Sequence, residues 1–454
     1  MSSKKIIAFI VLLLIVILAV FSVFFSINKK KNNIKVIDPT DSSFPTGGDS
    51  GNSGFPENKR GGDTNQILNP GEILDGSGDV VKKEEAVLRQ ITTEPVAAAH
   101  ITQQIIIVED EILTETEEGE VEREVIEIEE NEYLTTFIQK KNGHILVDSD
   151  RREDKEKKLN QTIPQTEQGL LSNNFALLQY LDSTKEVISS FGGFFFKETI
   201  IETEENEDGE TIEKEVIKET FKNTPLPTNI LNPSLSPDKS SLVFSTRSNS
   251  GTNIITAKTN SLEKASLVYS TPLFDISVEW GSDNELYIKS KPDSRSVGFV
   301  KRIKNGESTT ILSGISGLTF SISPSGKNSL ISRSQGGSLE LLIYNLESGR
   351  YYNSDIYTLP EKCVWSTQSV DVVYCGGQST APKGSFPQDW YQGKTNFADT
   401  LWRINTKDLT VDEVYTFLGT SESFDMTNLQ LSPDETRLLF IDKNDSTPWV
   451  LNLN

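Results

Sequence analysis

The chain has 454 residues, of which 35% are hydrophobic and 24% charged, and its net charge is −22. Nucleic acid is excluded as a partner by that charge, because phosphate binding needs a basic surface that releases counterions. Residues 109–132 carry 13 acids against Arg123 and residues 197–220 carry 10 acids against three lysines, so these two segments hold −19 of the charge and the remainder is close to neutral.

Residues 1–5 carry Lys4 and Lys5, and Ile6 to Ile27 follow as an uncharged run of 22 residues. At about 1.5 Å per residue such a helix reaches roughly 33 Å, enough to cross a bilayer core. The run is too long for the apolar region of a cleaved leader, and no small-x-small site follows Phe25, so residues 6–27 read as a single-pass signal anchor. Lysines flank it on both sides (Lys4 and Lys5; Lys29, Lys30, Lys31 and Lys35), and flanking charge sets no orientation. Residues 28–83, rich in Gly, Pro, Ser and Asn, cannot bury enough apolar surface to fold and read as a flexible stalk. A stalk of this kind lifts a domain off a membrane, and the expected location of residues 84–454 is the extracytoplasmic side, as an envelope protein of a bacterium.

Two acidic segments, placed near 105–132 and 197–221, are copies of one pattern. Glu115-Thr116-Glu117-Glu118, Gly119 and Glu122-Arg123-Glu124-Val125-Ile126 parallel Glu202-Thr203-Glu204-Glu205, Gly209 and Glu213-Lys214-Glu215-Val216-Ile217. β-Branched residues on either side of a glycine-bearing turn make each a β-hairpin. Glu117, Glu118, Glu204 and Glu205 would serve as a docking prong for a cationic partner or a weak calcium site. Charge that keeps exposed strands from sticking is the competing reading.

A strand, a Ser-Pro-Asp type turn and a second strand recur along the chain. Clear copies are Leu235-Ser236-Pro237-Asp238, Ile322-Ser323-Pro324-Ser325-Gly326 and Leu431-Ser432-Pro433-Asp434; weaker ones are at Ser172, Gly281 and Ser366. The markers 172, 236, 281, 323, 366 and 432 are spaced 64, 45, 42, 43 and 66 residues apart. The short spacings match a four-stranded propeller blade of about 40 to 45 residues. The long ones hold the second acidic segment and an aromatic loop at 376–397, and a seventh marker falls near Thr102. Only 22 residues follow Ser432, enough for two more strands, Arg437 to Ile441 and Trp449 to Leu453. The last blade is then one strand short, and Ala86 to Thr92 would supply it, closing the ring and protecting its edges.

The fold class is therefore all-β, a seven-bladed β-propeller behind an N-terminal transmembrane helix and stalk. These turns resemble those of the WD40-like propellers of the TolB type, in which Ser-Pro-Asp-Gly precedes an apolar strand. The glycine is replaced here by Lys239 and Glu435, and the Gly-His and Trp-Asp signatures of general WD40 repeats are absent.

Cys363 and Cys375 flank one predicted hairpin, either as a disulfide or as two buried thiols. In the aromatic loop, Phe386, Trp390 and Tyr391 are either binding anchors or a lid packed over the blade ends. Catalytic signals are weak. Gly48-Asp49-Ser50-Gly51 lies in the stalk, where nothing could hold a histidine or oxyanion donors, and His100 and His144 have no ligand-spaced companion. The expected function is an envelope interaction module for a protein, peptide or glycan, with no cofactor unless calcium binds. The alternatives are a glycan-directed hydrolase or lyase using channel carboxylates, for which Asp275, Glu279 and Asp371 are examples, and a structural subunit of an envelope complex.

Overall fold

A turn that repeats at blade spacing generates a sheet at each repeat. The computed structural model describes residues 72–74, 80–82, 88–115, 121–152, 155–157, 163–205, 211–417 and 423–453. The expected anchor, residues 6–27, lies outside them, and among the described residues no helix is long and apolar enough to cross a membrane. All belong to one compact unit, Gly61–Asn454. Within the stretch read as a stalk, Glu72–Leu74 pairs with Val80–Lys82. β-Branched Ile73, Val80 and Val81 suit that strand pair inside an otherwise polar segment.

The propeller consists of seven four-stranded antiparallel sheets. Blade 1 is Val96–Glu115, Val121–Gln139, Ile145–Ser149 and Glu156–Lys157; blade 2 is Thr166–Ser172, Phe175–Asp182, Val187–Glu205 and Thr211–Pro225. Blade 3 is Leu231–Leu235, Ser241–Ser248, Gly251–Lys258 and Ser261–Thr271; blade 4 is Ile276–Trp280, Leu286–Ser290, Val297–Lys304 and Glu307–Ser316. Blade 5 is Phe320–Ile322, Asn328–Gln335, Ser338–Asn345 and Arg350–Asn353; blade 6 is Cys363–Trp365, Val372–Gly377, Thr400–Asn405 and Thr410–Thr416. Blade 7 is Met426–Leu431, Arg437–Asp442 and Pro448–Asn452, completed by Leu88–Gln90. Leu88 pairs with Leu451, Arg89 with Val450 and Gln90 with Trp449, so the ring closes as the missing-strand count requires.

Each sheet is apolar on both faces because each is packed between two others. Leu242 and Phe244 face blade 2 while Val243 faces blade 4, which is why the strand reads as an unbroken apolar run. Leu438 and Phe440 likewise face blade 6, and Leu439 and Ile441 face blade 1. The seam that closes the ring is filled by Ile91, Val96, Ala99, Ile101 and Phe137 against Leu439, Ile441 and Val450.

The Ser-Pro-Asp turns are built by side chains. Asp238 accepts from the Ser236 hydroxyl at 2.5 Å and the Ser240 amide at 3.1 Å, and Ser236 Oγ accepts from the Ser241 amide at 2.9 Å. Ser432, Asp434, Thr436 and Arg437 repeat the arrangement. The next position needs a left-handed backbone, supplied by Gly326 at φ 68° in blade 5 but by Lys239 at 60° and Glu435 at 59° elsewhere. The departures from glycine leave the turn intact at a cost of about 1 kcal/mol each.

Candidate functional site

In an antiparallel blade, the connections after the first and third strands lie on one face of the ring, and those after the second and fourth on the other. Both acidic hairpins belong to the first face: Val96–Glu115 with Val121–Gln139 follows a first strand, and Val187–Glu205 with Thr211–Pro225 follows a third. The pairing runs unbroken to Glu115↔Val121 and to Glu205↔Thr211, as expected of two long ribbons. Glu117 and Glu118 lie outside the described residues, and Glu204 and Glu205 end their strand. On the described parts Ile105, Ile107 and Ile201 stand exposed.

The aromatic loop is on the opposite face. Gly376 and Gly377 end a strand, and the excursion itself runs over 378–399, two residues later than expected. It crosses the ring. The Gln388 amide exchanges hydrogen bonds with Ser294 of blade 4 (2.9 Å from the Ser294 N–H, 2.6 Å to its hydroxyl), and Asn396 donates to Asn444 of blade 7 at 2.7 Å. Phe386, Trp390 and Phe397 pack with Leu339 and Leu359 beneath it. Phe386 and Trp390 are thus buried, and their aromatic surface is spent on holding the lid rather than presented to a partner. Gly317, at φ 67°, lets the lid approach: a Cβ there would stand 3.1 Å from the Phe386 carbonyl and 2.6 Å from Ser334 Cβ.

Under the lid is a charged centre that sequence reasoning missed. The side chains of Lys362, Asp399 and Asp425 are wholly buried, and the Lys362 ammonium donates to Asp399 Oδ2 at 2.7 Å and to Asp425 Oδ1. Trp390 Nε1 donates to Asp425 Oδ2 at 2.8 Å, and the Phe397 and Trp390 rings lie 4.7 and 5.5 Å from the ammonium. Burial raises the Asp399 pKa to about 6 against the pull of Lys362. The three residues are 26 or more positions apart across two connections and a loop, so no local motif could reveal them.

Tyr391 is the loop aromatic that remains accessible, at 46%. Its hydroxyl donates to Glu361 at 2.5 Å, and nearby Lys289 donates to Glu279 at 2.8 Å and to the Phe320 carbonyl at 3.4 Å. These four side chains share one electrostatic neighbourhood. Burial opposes the Lys289 ammonium, yet the Glu279 and Glu361 charges outweigh it and raise its pKa. The result is a cluster on the lid side, at the inner ends of blades 4 to 6, with two carboxylates, one ammonium and an accessible ring.

The other residues singled out from sequence have structural settings. Cys363 and Cys375 are cross-strand partners in blade 6 and form a disulfide. His100 bridges Gln430 of blade 7 and Asn173 of blade 2, each at 2.8 Å, and burial lowers its pKa. Asp275 pairs with Arg247 at 2.5 Å, and the Asp371 carbonyl accepts from Thr406. Among the described residues no group of three or more His, Cys, Asp or Glu is placed to hold a metal ion.

The sequence matches no family model and no curated protein. Among solved structures it is similar to TolB from Acinetobacter baumannii (10% identity, 77% of this chain and 79% of that one, TM-score 0.38). It is also similar to YCF48 bound to D1 peptide (9%, 82% and 96%, 0.45) and to an oligogalacturonate lyase in complex with manganese (7%, 78% and 98%, 0.42). The propeller itself rests on the seven sheets.

Proposed function

We propose that the protein is a binding module, anchored in a membrane by residues 6–27 with its propeller on the extracytoplasmic side, and that the cluster around Tyr391 takes a cationic segment of a polypeptide partner. The observation that supports this is the pairing of an accessible Tyr391 ring with Glu361 and Glu279 against a single Lys289. An arginine or lysine side chain gains there both an aromatic face and an unbalanced carboxylate. The acidic hairpins on the opposite face add long-range attraction for such a partner and quicken its approach.

Capture of Arg- and Lys-containing peptides by the full chain in detergent tests the proposal. Tyr391→Ala and Glu361→Gln should each weaken capture at least tenfold, about 1.4 kcal/mol, while deletion of 112–128 should reduce its salt sensitivity and leave the fold intact. Unchanged affinity in both point variants sinks the Tyr391 cluster as the binding site. Turnover of a polysaccharide that is abolished by Glu279→Gln would instead favour the glycan-directed enzyme.

A further inference from the structure

We propose that Lys362 and Asp399 condense to an intramolecular isopeptide bond, with Asp425 as the proton relay, so that the lid is covalently stapled to the strand connection beneath it. The three groups are wholly buried, and two aromatic rings close around the amine. Water, which would both solvate the charges and hydrolyse an activated carboxyl, is kept out.

The two carboxylates have different settings, and the difference assigns their roles. Asp425 takes hydrogen bonds from Trp390 Nε1 at 2.8 Å and the Phe397 amide at 3.2 Å, and Lys443 Nζ stands 4.0 Å from it. It is the carboxylate with the larger set of donors turned towards it. Asp399 receives the Met426 amide on Oδ2 at 2.6 Å, but its Oδ1 is buried with no hydrogen-bond partner. That orphan oxygen is the place for a proton, in keeping with the raised pKa of the group. Loss of one ammonium and one carboxylate leaves the net charge of the cluster unchanged, with Lys443 still beside Asp425.

The chemistry needs no other reactant. A proton passes from the Lys362 ammonium by way of Asp425 to Asp399 Oδ1, leaving a free amine and a carboxylic acid. The 2.7 Å contact from Nζ to Oδ2 leaves the carbon bearing that oxygen at about 3.5 Å, within near-attack range. Nζ attacks Asp399 Cγ, the Met426 amide steadies the charge that develops on Oδ2, and Asp425 accepts a proton from the attacking nitrogen. Asp425 then returns that proton to Oδ1, the Cγ–Oδ1 bond breaks and water leaves. Ammonium and carboxylate have become amide and water, Asp425 is unchanged, and no redox change occurs. The neutral amide removes a buried ion pair that is otherwise expensive to desolvate. With Cys363–Cys375 one residue away, blade 6 would hold two adjacent covalent crosslinks.

Mass spectrometry of the full chain, with the disulfide reduced, reads the bond directly. The expected mass is one water below that of the sequence, and trypsin should give a branched species joining residues 351–383 to 395–403, since an amidated Lys362 resists cleavage. Lys362→Arg keeps the cation but lacks the amine, and Asp425→Asn lacks the relay; each should return to the full sequence mass while remaining folded by circular dichroism. Wild-type protein at full mass, or recovery of 351–362 as the dominant free peptide, overturns the proposal whatever the variants do. A branch to 408–437 instead overturns the assignment of Asp399 as the electrophile.

Discussion

Ile91→Ala tests whether the ring is closed by the strand Leu88–Gln90. Ile91 follows that strand directly, is 3% exposed, and sits between Phe137 of blade 1 and Leu439, Ile441 and Val450 of blade 7. Its amide is tied to Pro448 O at 2.9 Å, so the side chain is held in the seam rather than free to withdraw. Removing three carbons at about 0.8 kcal/mol each costs roughly 2.4 kcal/mol, and the cavity left in a packed seam brings the loss to about 3 kcal/mol. With a urea slope of about 3 kcal/mol/M for a domain of this size, the unfolding midpoint should fall by about 1 M. The slope should not change. Tryptophan fluorescence follows the transition, since Trp449 lies in the same blade. Hydrogen exchange should place the added opening at residues 88–91 and 448–452. A loss below about 1 kcal/mol, or exchange that spreads evenly over all blades, would show that this seam does not hold the ring shut.

The two turns that lack glycine should respond oppositely to gaining it. Lys239→Gly relieves a left-handed lysine and should stabilise by about 0.5 kcal/mol. Glu435→Gly also relieves strain, yet it removes the carboxylate that accepts from the Ser366 hydroxyl and the Thr367 and Gln368 amides of blade 6, so thermal unfolding should report a loss of about 2 kcal/mol. Equal effects of the two substitutions would contradict the account. In acid, Asp238 is held down to about 2 by Ser236 and Ser240, and Glu435 is held below its ordinary value because those blade 6 donors outweigh the effect of burial. Both folded-state values lie below the unfolded ones, so the stability they contribute is complete above about pH 4.5 and fades as the pH falls towards 2. Urea midpoints that stay flat over that window would rule this out. Gly317→Ala should cost about 2 kcal/mol through its positive φ and its contact with Ser334. It should also expose the lid to cleavage at Lys383 and Lys394 by trypsin, and unaltered resistance there would mean the lid is held from elsewhere.

What the sequence determined by itself was most of what repeats. The marker serines 236, 323, 366 and 432 and Gly281 each directly follow a first strand, because a four-stranded blade returns the chain to the same turn after a nearly fixed length, whereas the marker expected near Thr102 fails, since Thr102 lies inside the long strand Val96–Glu115. The absent last strand and its replacement by Leu88–Gln90 followed from the same count, and the two acidic ribbons from an internal copy of one pattern. Local chemistry also brought Cys363 opposite Cys375, since both flank one turn. Tertiary structure alone decided what happens where the repeat is interrupted. An aromatic loop reads the same whether it anchors a partner or roofs its own domain; burial of Phe386 and Trp390 and exposure of Tyr391 separate the two outcomes. Lys362, Asp399 and Asp425 carry no periodic signal, and each looks like an ordinary surface residue in the sequence. They become a reactive set only because two blade connections and the end of the lid converge where water is excluded, and that convergence is a property of the ring, not of any segment of it.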